Sequence, residues 1–348
     1  MQKYLEYILD KLQTLLAIDS PSGYTRAATD YLLKELAAMG LAPRRTEKGS
    51  VIVELGGEST TGEGALLLSA HCDTLGGMVR EIKANGRLRL APIGGMRAEN
   101  AETENCRIVT KSGKVYEGTC QLLNASVHIN LEYDVKRTWE NVEIVIDEPV
   151  STKEETKALG IANGDYVCFE PRTRITKSGY IKSRFLDDKL SLCILLGYAK
   201  RVTEEKIKLP RKVYLYFSVF EEVGHHGAAA SLPGDVTEAW AVDMGCVGDG
   251  LECTEREVSI CAKDSGGPFH QDVVNRQVRV AERLGLRYAV DVYHGYTSDV
   301  AVMLQAGLEA RFGLVGPGVY ASHGYERSHV DGVKNTFALI CGYIEDPE

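Results

Sequence analysis

Side chains that could bind metal ions or carry protons follow several hydrophobic runs of this 348-residue chain. These candidates are His71, Asp73, Asp187, Asp188, Glu221, Glu222, Asp243 and His323. Imidazole and carboxylate are ligands of zinc, cobalt and manganese, and one bridging carboxylate would let such a set hold two cations. Two neighbouring cations can activate a water and polarise a carbonyl group, while a carboxylate that binds neither ion moves the proton. The set therefore predicts a dinuclear site for a hydrolytic reaction.

Each candidate also has an ordinary structural explanation when it is taken alone. His71 and Asp73 could lie in a solvated loop or form a core hydrogen bond, and one of the aspartates Asp187 and Asp188 could cap the helix that follows them. The adjacent carboxylates of Glu221 and Glu222 are more informative, because they repel each other unless a cation or a proton separates them. The joint occurrence of these residues, mostly at predicted strand ends, is what favours a metal site.

The hydrophobic pattern predicts the elements that position these residues. Apolar residues three and four positions apart predict a helix over 2–17, and strand-like runs follow over 51–55 and 65–70. The second run is almost continuously apolar, which predicts a strand buried on both faces of a parallel sheet. Between about 75 and 178, short strands alternate with glycine turns, which is typical of a small β-rich domain. From about 180 helices and strands alternate again. We therefore expect an α/β fold, with a mixed, mostly parallel sheet and flanking helices, interrupted by a β-rich insertion.

The predicted sheet would bring the candidate residues together. His71 and Asp73 follow the strand predicted over 66–70, and Asp243 ends the strand predicted over 239–242. Loops at the carboxyl ends of parallel strands converge above the sheet, which is where open α/β sheets bind their ligands. We therefore expect one site at this edge.

Composition excludes several classes of function. The chain has 40 basic and 49 acidic residues, a net charge of -9, so nucleic acid and anionic membranes are not expected partners. Residues 1–16 carry four charged side chains, unlike a signal peptide, and no run reaches about 18 apolar residues. Nine cysteines without a Cys-x-x-Cys pair predict neither a disulfide framework nor a thiolate zinc site. These features predict a soluble cytoplasmic protein.

The motifs around the candidates resemble a family of metallo-aminopeptidases that assemble into tetrahedral dodecamers and include glutamyl, leucyl, lysyl and deblocking aminopeptidases. The resemblance extends over nearly the whole chain. The blocks that carry the candidates are His71-Cys72-Asp73-Thr74-Leu75-Gly76-Gly77, Leu186-Asp187-Asp188-Lys189, Glu221-Glu222-Val223-Gly224 and Val242-Asp243. In combination these blocks are highly specific. They imply a sheet domain similar to those of other zinc peptidases.

The resemblance implies two metal sites that share one ligand. His71 and Asp243 would bind one ion. Glu222 and His323 would bind the other, and Asp187 would bridge both. Zinc or cobalt is expected, with manganese as an alternative, because all three accept these ligands.

The resemblance also implies roles for two carboxylates that bind no metal. Glu221 would be the general base and then the general acid, and Asp73 would orient His71. The peptide between Asp187 and Asp188 would be cis, as it is in the family. A water between the metals would attack the first peptide bond of a short peptide, so that one N-terminal residue is released at a time.

Further implications concern domains and assembly. The insertion, residues 75–178, would be an assembly domain between catalytic parts at 1–74 and 179–348. The protein would be a homo-oligomer, as in the family's tetrahedral dodecamers. The segment 294–299 lies where the family has a loop near the active site, which predicts contact with substrate.

Some departures from the family pattern leave alternatives open. His329 is an alternative to His323 as the last ligand, although the position of His323 close to the preceding strand and to Glu326 favours it. His225 and His226 replace residues common in the family and are expected in the pocket or at the surface.

Other functions on the same scaffold also remain open. Lys189 stands where the family usually has arginine, which keeps the charge but not the bidentate geometry. A dipeptidase or deacylase would use the same metals. A glucanase, a label that some relatives carry, would need two carboxylates around a sugar and no metal pair. A catalytically silent relative would have no use for the proton carrier Glu221.

Overall fold

The computed structural model describes residues 1–60, 62–225 and 232–346. The helices are α1 (Gln2–Leu16), α2 (Arg26–Ala38), α3 (Ala98–Ala101), α4 (Lys153–Ala158), α5 (Leu186–Glu205), α6 (Gln271–Arg283), α7 (Asp299–Gln305) and α8 (Val330–Glu345). The strands before the middle of the chain are β1 (Arg44–Arg45), β2 (Val51–Gly56), β3 (Ala65–His71), β4 (Gly76–Ile82), β5 (Leu88–Ile93), β6 (Asn105–Val109), β7 (Val115–Leu122), β8 (Val142–Ile146) and β9 (Tyr166–Phe169). The later strands are β10 (Arg174–Ile175), β11 (Tyr180–Ser183), β12 (Val213–Ser218), β13 (Val236–Val242), β14 (Gly245–Val247), β15 (Val258–Asp264), β16 (Gly267–Pro268), β17 (Tyr288–Val292), β18 (Arg311–Tyr320) and β19 (Glu326–His329).

A mixed sheet organises the larger part of the chain. Its order is β1-β2-β12-β3-β13-β18-β19-β11-β10, and β14 and β15 also pair with β18. The central pairs β12–β3, β3–β13 and β13–β18 are parallel, whereas the pairs at both margins are antiparallel. The predicted α/β fold with a mixed sheet is confirmed.

The central strand β3 is buried on both faces, as its continuous apolar sequence predicts. Leu66 and Leu68 belong to the core that includes α1, α5 and α8. Leu67 faces the opposite side, in the core that includes Val300 and Met303 of α7. Helices on both faces therefore hold β3 in a fixed position.

The helix α5 is the centre of the larger core. A Cβ atom at Gly197 would lie 2.5 Å from the side chain of Ile8, so glycine there allows the close approach of α1. In the described part of the chain, no helix combines the length and the apolar character that crossing a membrane requires.

The predicted β-rich insertion is a small closed barrel. Its strands follow the order β4-β5-β8-β7-β6-β9, and they span residues 76–169. The chain enters the barrel five residues after the end of β3 and returns to the large sheet at β10. The domain bounds at 74/75 and 178/179 stay a prediction.

Candidate metal centre

The predicted site residues lie at the carboxyl edge of the central parallel strands. His71 ends β3, in register with Ser218 at the end of β12. A 3-10 turn that starts at Glu221 follows β12, and Asp243 directly follows β13. Because these neighbouring strands end at one edge, short loops suffice to bring their side chains together. Asp187 reaches the same edge from the start of α5.

The first group of possible ligands consists of His71, Asp187 and Asp243. One ligand atom from each lies within 4.8 Å of the others. Nε2 of His71 is 3.1 Å from Oδ1 of Asp187. All three side chains are buried. One imidazole nitrogen and two carboxylate oxygens suit zinc, cobalt or manganese.

The second group consists of Asp187, Glu222 and His323, again with ligand atoms within 4.8 Å of one another. Nε2 of His323 is 3.5 Å from Oδ2 of Asp187 and 3.5 Å from Oε2 of Glu222. Asp187 therefore presents one carboxylate oxygen to each histidine. This is the arrangement that a carboxylate bridging two cations requires.

Buried negative charge at the site fits the binding of divalent cations. Burial raises the pKa of Glu222, and the charge of Asp187 raises it further. Burial and Asp187 also raise the pKa of Asp243 to about 7. Burial opposes the ionisation of Asp187, but the imidazoles of His323 and His71 lower its pKa below the ordinary value. Cations between these groups would remove the repulsion, so the residues present fit a metal pair.

Glu221 lies beside the two groups but belongs to neither. Its Oε2 atom is 3.7 Å from Nε2 of His71, and its side chain is 9 % exposed. Burial raises its pKa, and the negative charges of Asp243 and Glu222 add to that effect. A carboxyl group with a raised pKa next to the ligands is suited to accept and return a proton.

Asp73 connects the two loops that carry these residues. Nδ1 of His71 is 2.9 Å from the main-chain carbonyl oxygen of Asp73, which leaves Nε2 for a metal. The Asp73 carboxylate instead accepts hydrogen bonds from the main-chain N–H groups of Glu221 (3.2 Å) and Glu222 (3.4 Å). The Ser22 hydroxyl donates to the same carboxylate at 2.5 Å. Asp73 thus contacts His71 through its main chain and the Glu221 turn through its side chain.

The start of α5 has the backbone that the resemblance implies. The peptide between Asp187 and Asp188 is cis. The Asp188 carboxylate accepts the main-chain N–H of His71 at 3.2 Å. Lys189 is buried, and its ammonium group donates to the carbonyl oxygens of Leu15 (2.9 Å) and Ile18 (2.8 Å) at the end of α1. Lys189, at the position where the family usually has arginine, thus links the start of α5 to the end of α1.

Glu326 was not among the predicted site residues, although it contacts two of them. Its buried carboxylate accepts the main-chain N–H groups of Asp187 (3.1 Å) and His323 (3.1 Å). Burial and the charge of Asp187 raise its pKa to about 8. The position of Glu326 three residues after His323 is a sequence signal for the contact with His323. The contact with Asp187 has no such signal, because the two residues are 139 positions apart.

The other histidines that sequence patterns left open have different surroundings. His329 is buried, with Nε2 2.9 Å from the carbonyl oxygen of Ser178 and Nδ1 accepting the N–H of Asp331 at 3.0 Å. His225 is exposed, and His226 lies outside the described residues. Within the described residues the geometry thus brings His323, rather than His329, to the acidic cluster.

A cavity of about 540 Å³ opens onto the site. Residues of the predicted 294–299 loop form one part of its wall, and the insertion contributes Arg97 and Asn100. The Asn100 amide donates to the carbonyl oxygen of His323 at 3.1 Å. Gly95 lies so close that a Cβ atom there would be 2.7 Å from the His323 ring. Sequence patterns did not predict this contact between the insertion and the site.

Comparisons with known proteins agree with this geometry. Residues 49–339 match the family described as M42 glutamyl aminopeptidase. The putative aminopeptidase YhfE of Bacillus subtilis (strain 168) is 40 % identical over 340 residues, 97 % of each chain.

Two solved structures show the same fold. The TET aminopeptidase of a marine sediment Thaumarchaeota archaeon has a TM-score of 0.88 at 18 % identity, over 98 % of this chain and 97 % of that one. The Pyrococcus horikoshii TET1 peptidase, which can assemble into a tetrahedron or a large octahedral shell, has a TM-score of 0.85 at 23 % identity, over 98 % and 100 %. The match of sequence over most of the chain, together with the shared fold, shows that this chain belongs to the M42 glutamyl aminopeptidase family and is an aminopeptidase, a hydrolase of peptide bonds.

Proposed function

We propose that this aminopeptidase uses two divalent cations, bridged by Asp187, to remove N-terminal residues from short peptides. The observation that carries the proposal is that Asp187 belongs to both groups of possible ligands. One of its carboxylate oxygens faces His71 and the other faces His323. His71 and Asp243 would complete one site. Glu222 and His323 would complete the other. Zinc and cobalt suit these donors, and manganese accepts them as well.

When bound, the cations would supply a water of lowered pKa and positive charge close to the scissile carbonyl group. The residues of the chain would do the rest. Glu221, 3.7 Å from His71, would take the proton of the attacking water and give it to the leaving amine. The free amino group of the substrate would sit near one of the cations and the acidic side chains of the cavity, which accounts for the release of one N-terminal residue at a time.

The supporting residues would keep this arrangement fixed before the substrate arrives. Asp73 holds the turn that carries Glu221 and Glu222, and Glu326 holds the main chain of Asp187 and His323. A site whose groups are already in position does not have to reorganise during the reaction.

We further propose that the chain forms a homo-oligomer, a tetrahedral dodecamer, with the insertion at 75–178 as assembly domain. The loop between β7 and β8 supports this proposal because it exposes Val127 (63 %), Ile129 (70 %) and Leu131 (96 %). Single exposed apolar side chains are common, whereas contiguous apolar patches mark contact surfaces, so the grouping of three such residues within five positions supports the proposal. A cytoplasmic location is consistent with nine free cysteines, which a reducing compartment preserves.

Hydrolysis of free and N-acetylated aminoacyl amides and short peptides tests the proposed reaction. The metal-free, zinc, cobalt and manganese forms would be compared, together with Glu221→Gln and the exposed control Glu54→Gln. We expect metal-dependent release of free N-terminal residues, lowered about 10²- to 10⁴-fold in Glu221→Gln but not in the control. Glu221→Gln should still bind both metals.

The acetylated substrates separate this activity from its rivals. Cleavage confined to N-acetylated substrates would identify a deacylase, and cleavage confined to dipeptides would identify a dipeptidase. A fully metal-loaded protein that cleaves none of the substrates would contradict the proposal.

A further inference from the structure

The hydroxyl group of Tyr296 is buried and has no hydrogen-bond partner among the described residues. The Tyr296 side chain lines the same cavity as Asp187 and Asp243. Asp187 and Asp243 belong to the candidate metal groups, so Tyr296 borders the cavity in which the proposed cations would lie. An unpaired buried hydroxyl costs about 1–3 kcal/mol, which makes this one a candidate for a functional role.

The main chain around Tyr296 is held in place. Its N–H donates to Oγ of Ser265 at 3.0 Å, and its carbonyl oxygen accepts the N–H of Ser265 at 3.0 Å. The Ser265 hydroxyl also donates to the carbonyl oxygen of His294 at 2.9 Å. The main chain that carries the Tyr296 side chain is therefore held by hydrogen bonds on both its N–H and its carbonyl group.

The side chain is supported as well. Its ring packs against Tyr293, with 5.1 Å between the ring centroids. The Tyr293 hydroxyl is itself satisfied by Ser259 and by the N–H of Cys246. Of these two neighbouring tyrosines, only the one at the metal centre has a hydroxyl without a partner in the described part of the chain.

The same loop is tied to the strands that end at the site. The buried carboxylate of Asp299 accepts hydrogen bonds from the hydroxyls of Ser69 on β3 (2.6 Å) and Ser218 on β12 (2.5 Å). The strands that lead to His71 and to the Glu221 turn are thus linked directly to the segment that carries Tyr296. The segment that carries Tyr296 is therefore held against the strands that lead to the candidate ligands.

We propose that Tyr296 donates a hydrogen bond from its hydroxyl to the carbonyl oxygen of the scissile peptide bond as that oxygen gains negative charge. This inference rests on the proposed function. Besides the proposed cations, hydrogen-bond donors stabilise an oxyanion, and Tyr296 lines the cavity with a hydroxyl that has no other partner among the described residues. A protonated tyrosine hydroxyl without another partner is such a donor, and its fixed position means that little order is lost when the charge develops.

Tyr296→Phe tests the inference because it removes the hydroxyl and keeps the ring. We expect kcat to fall about 10²-fold, with KM within about twofold of the wild-type value, as for the loss of one oxyanion donor. Two bound metals per chain should remain. The affinity for a phosphinic dipeptide analogue, which mimics the tetrahedral state, should fall by the same factor as kcat/KM. Inhibition by a free product amino acid should not change.

Thermal unfolding distinguishes this role from a structural one. The Tyr296 hydroxyl loses no partner among the described residues in Tyr296→Phe, so Tm should stay the same or rise. Tyr198→Phe is the matched control, because the Tyr198 hydroxyl is also buried and without a partner in the described residues. It lies on α5, about three turns beyond Asp187, and its loss should leave kcat unchanged.

Several outcomes would overturn the inference. Wild-type kcat and analogue affinity in Tyr296→Phe would show that the hydroxyl does not act on the transition state. A higher KM with unchanged kcat would assign it to substrate binding, and a lower Tm with unchanged kcat would assign it to folding. Failure of the wild-type enzyme to release N-terminal residues with any metal would instead refute the proposed function.

Discussion

At the scale of single residues, Asp187 has the central position because both groups of candidate ligands include it. We expect Asp187→Ala to lose both cations. In contrast, Asp243→Ala and His323→Ala should each keep one ion, because each removes a ligand from one group only. Metal analysis of dialysed protein measures the number of ions per chain.

The same experiment can contradict the bridging role. Two ions retained in Asp187→Ala would show that the sites do not share this ligand. Asp30→Ala provides a control, because Asp30 pairs with Arg26 and Arg45 at the partly exposed α2 surface and should not affect metal content.

Glu326 provides a second prediction at this scale. Glu326→Ala would remove the acceptor of two main-chain N–H groups, those of Asp187 and His323, without removing a ligand. Loss of a group that orients metal ligands typically weakens affinity about 10- to 100-fold. We expect a weakening of this size for the ion between Asp187 and His323, measured by titration with zinc or cobalt.

A matched comparison is available in Glu255→Ala, which removes a partly exposed carboxylate that pairs with Arg327. This variant should bind both metals as the wild type does. Equal affinities in the Glu326 and Glu255 variants would show that the Glu326 contacts do not position the ligands.

The sequence indicates the candidate ligands more readily than the residues that contact them. The ligands occur in short blocks after apolar strands, so composition and order alone bring them to one edge. The pairing of Ser22 with Asp73 depends on atoms 51 residues apart, and that of Glu326 with Asp187 on atoms 139 residues apart. Such contacts leave no local pattern, because only the fold brings them together.

At the scale of elements, long periodic segments were predictable and short or strained ones were not. The helix predicted over 2–17 is α1, with Leu5, Leu12 and Leu15 buried as their spacing predicts. Strands of two residues, such as β1 and β16, have too few side chains to show alternation. Their pairing is decided by neighbours that are distant in sequence.

Left-handed backbone at the site is also invisible in the sequence. Phe185 (φ 68°) and Phe220 (φ 67°) adopt this conformation just before the segments with Asp187 and Glu221. Bulky residues rarely take these angles, and each costs on the order of 1 kcal/mol or more. The surrounding packing must therefore impose the conformation.

A buried ion cluster on β13 gives a prediction about stability. Glu238 is 1 % exposed and pairs with Arg211 (3.2 Å) and Arg311 (2.9 Å), and it accepts a hydrogen bond from Tyr343 at 2.7 Å. It ties β13 to β18 and to α8. We expect Glu238→Gln to lower the free energy of unfolding by about 3 kcal/mol at pH 7, because Arg211 stays buried but loses the negative charge of its partner Glu238. Urea unfolding measures this difference.

The pH dependence follows from the sign of the pKa shift. Burial opposes ionisation, but Arg211, Tyr343 and Arg311 prevail and lower the pKa of Glu238 below its ordinary value of 4.5. Its stabilisation is therefore complete above that value and is lost as the pH falls through the lower, folded-state pKa. The difference between wild type and Glu238→Gln should shrink in that acidic range. A difference that stays constant to low pH would contradict this account.

At the scale of the whole molecule, the barrel domain contacts the candidate metal centre at one place and exposes apolar side chains to solvent at another. One side approaches the metal centre, where Asn100 donates to the carbonyl oxygen of His323. The loop between β7 and β8 instead exposes Val127, Ile129 and Leu131 to solvent. The barrel could therefore support the cavity wall and still offer an apolar surface to another copy.

Leu131→Asp tests whether that surface joins subunits. Leu131 is 96 % exposed, so a charge there should not disturb the fold of one chain, but burying that charge between copies would be costly. We expect the mass from sedimentation velocity to fall from that of the large homo-oligomer to that of smaller species. Glu132→Ala, a change at the exposed neighbouring position, should leave the assembly intact. An unchanged mass for Leu131→Asp would place the contacts between subunits elsewhere, since a carboxylate could not replace this side chain in an apolar interface.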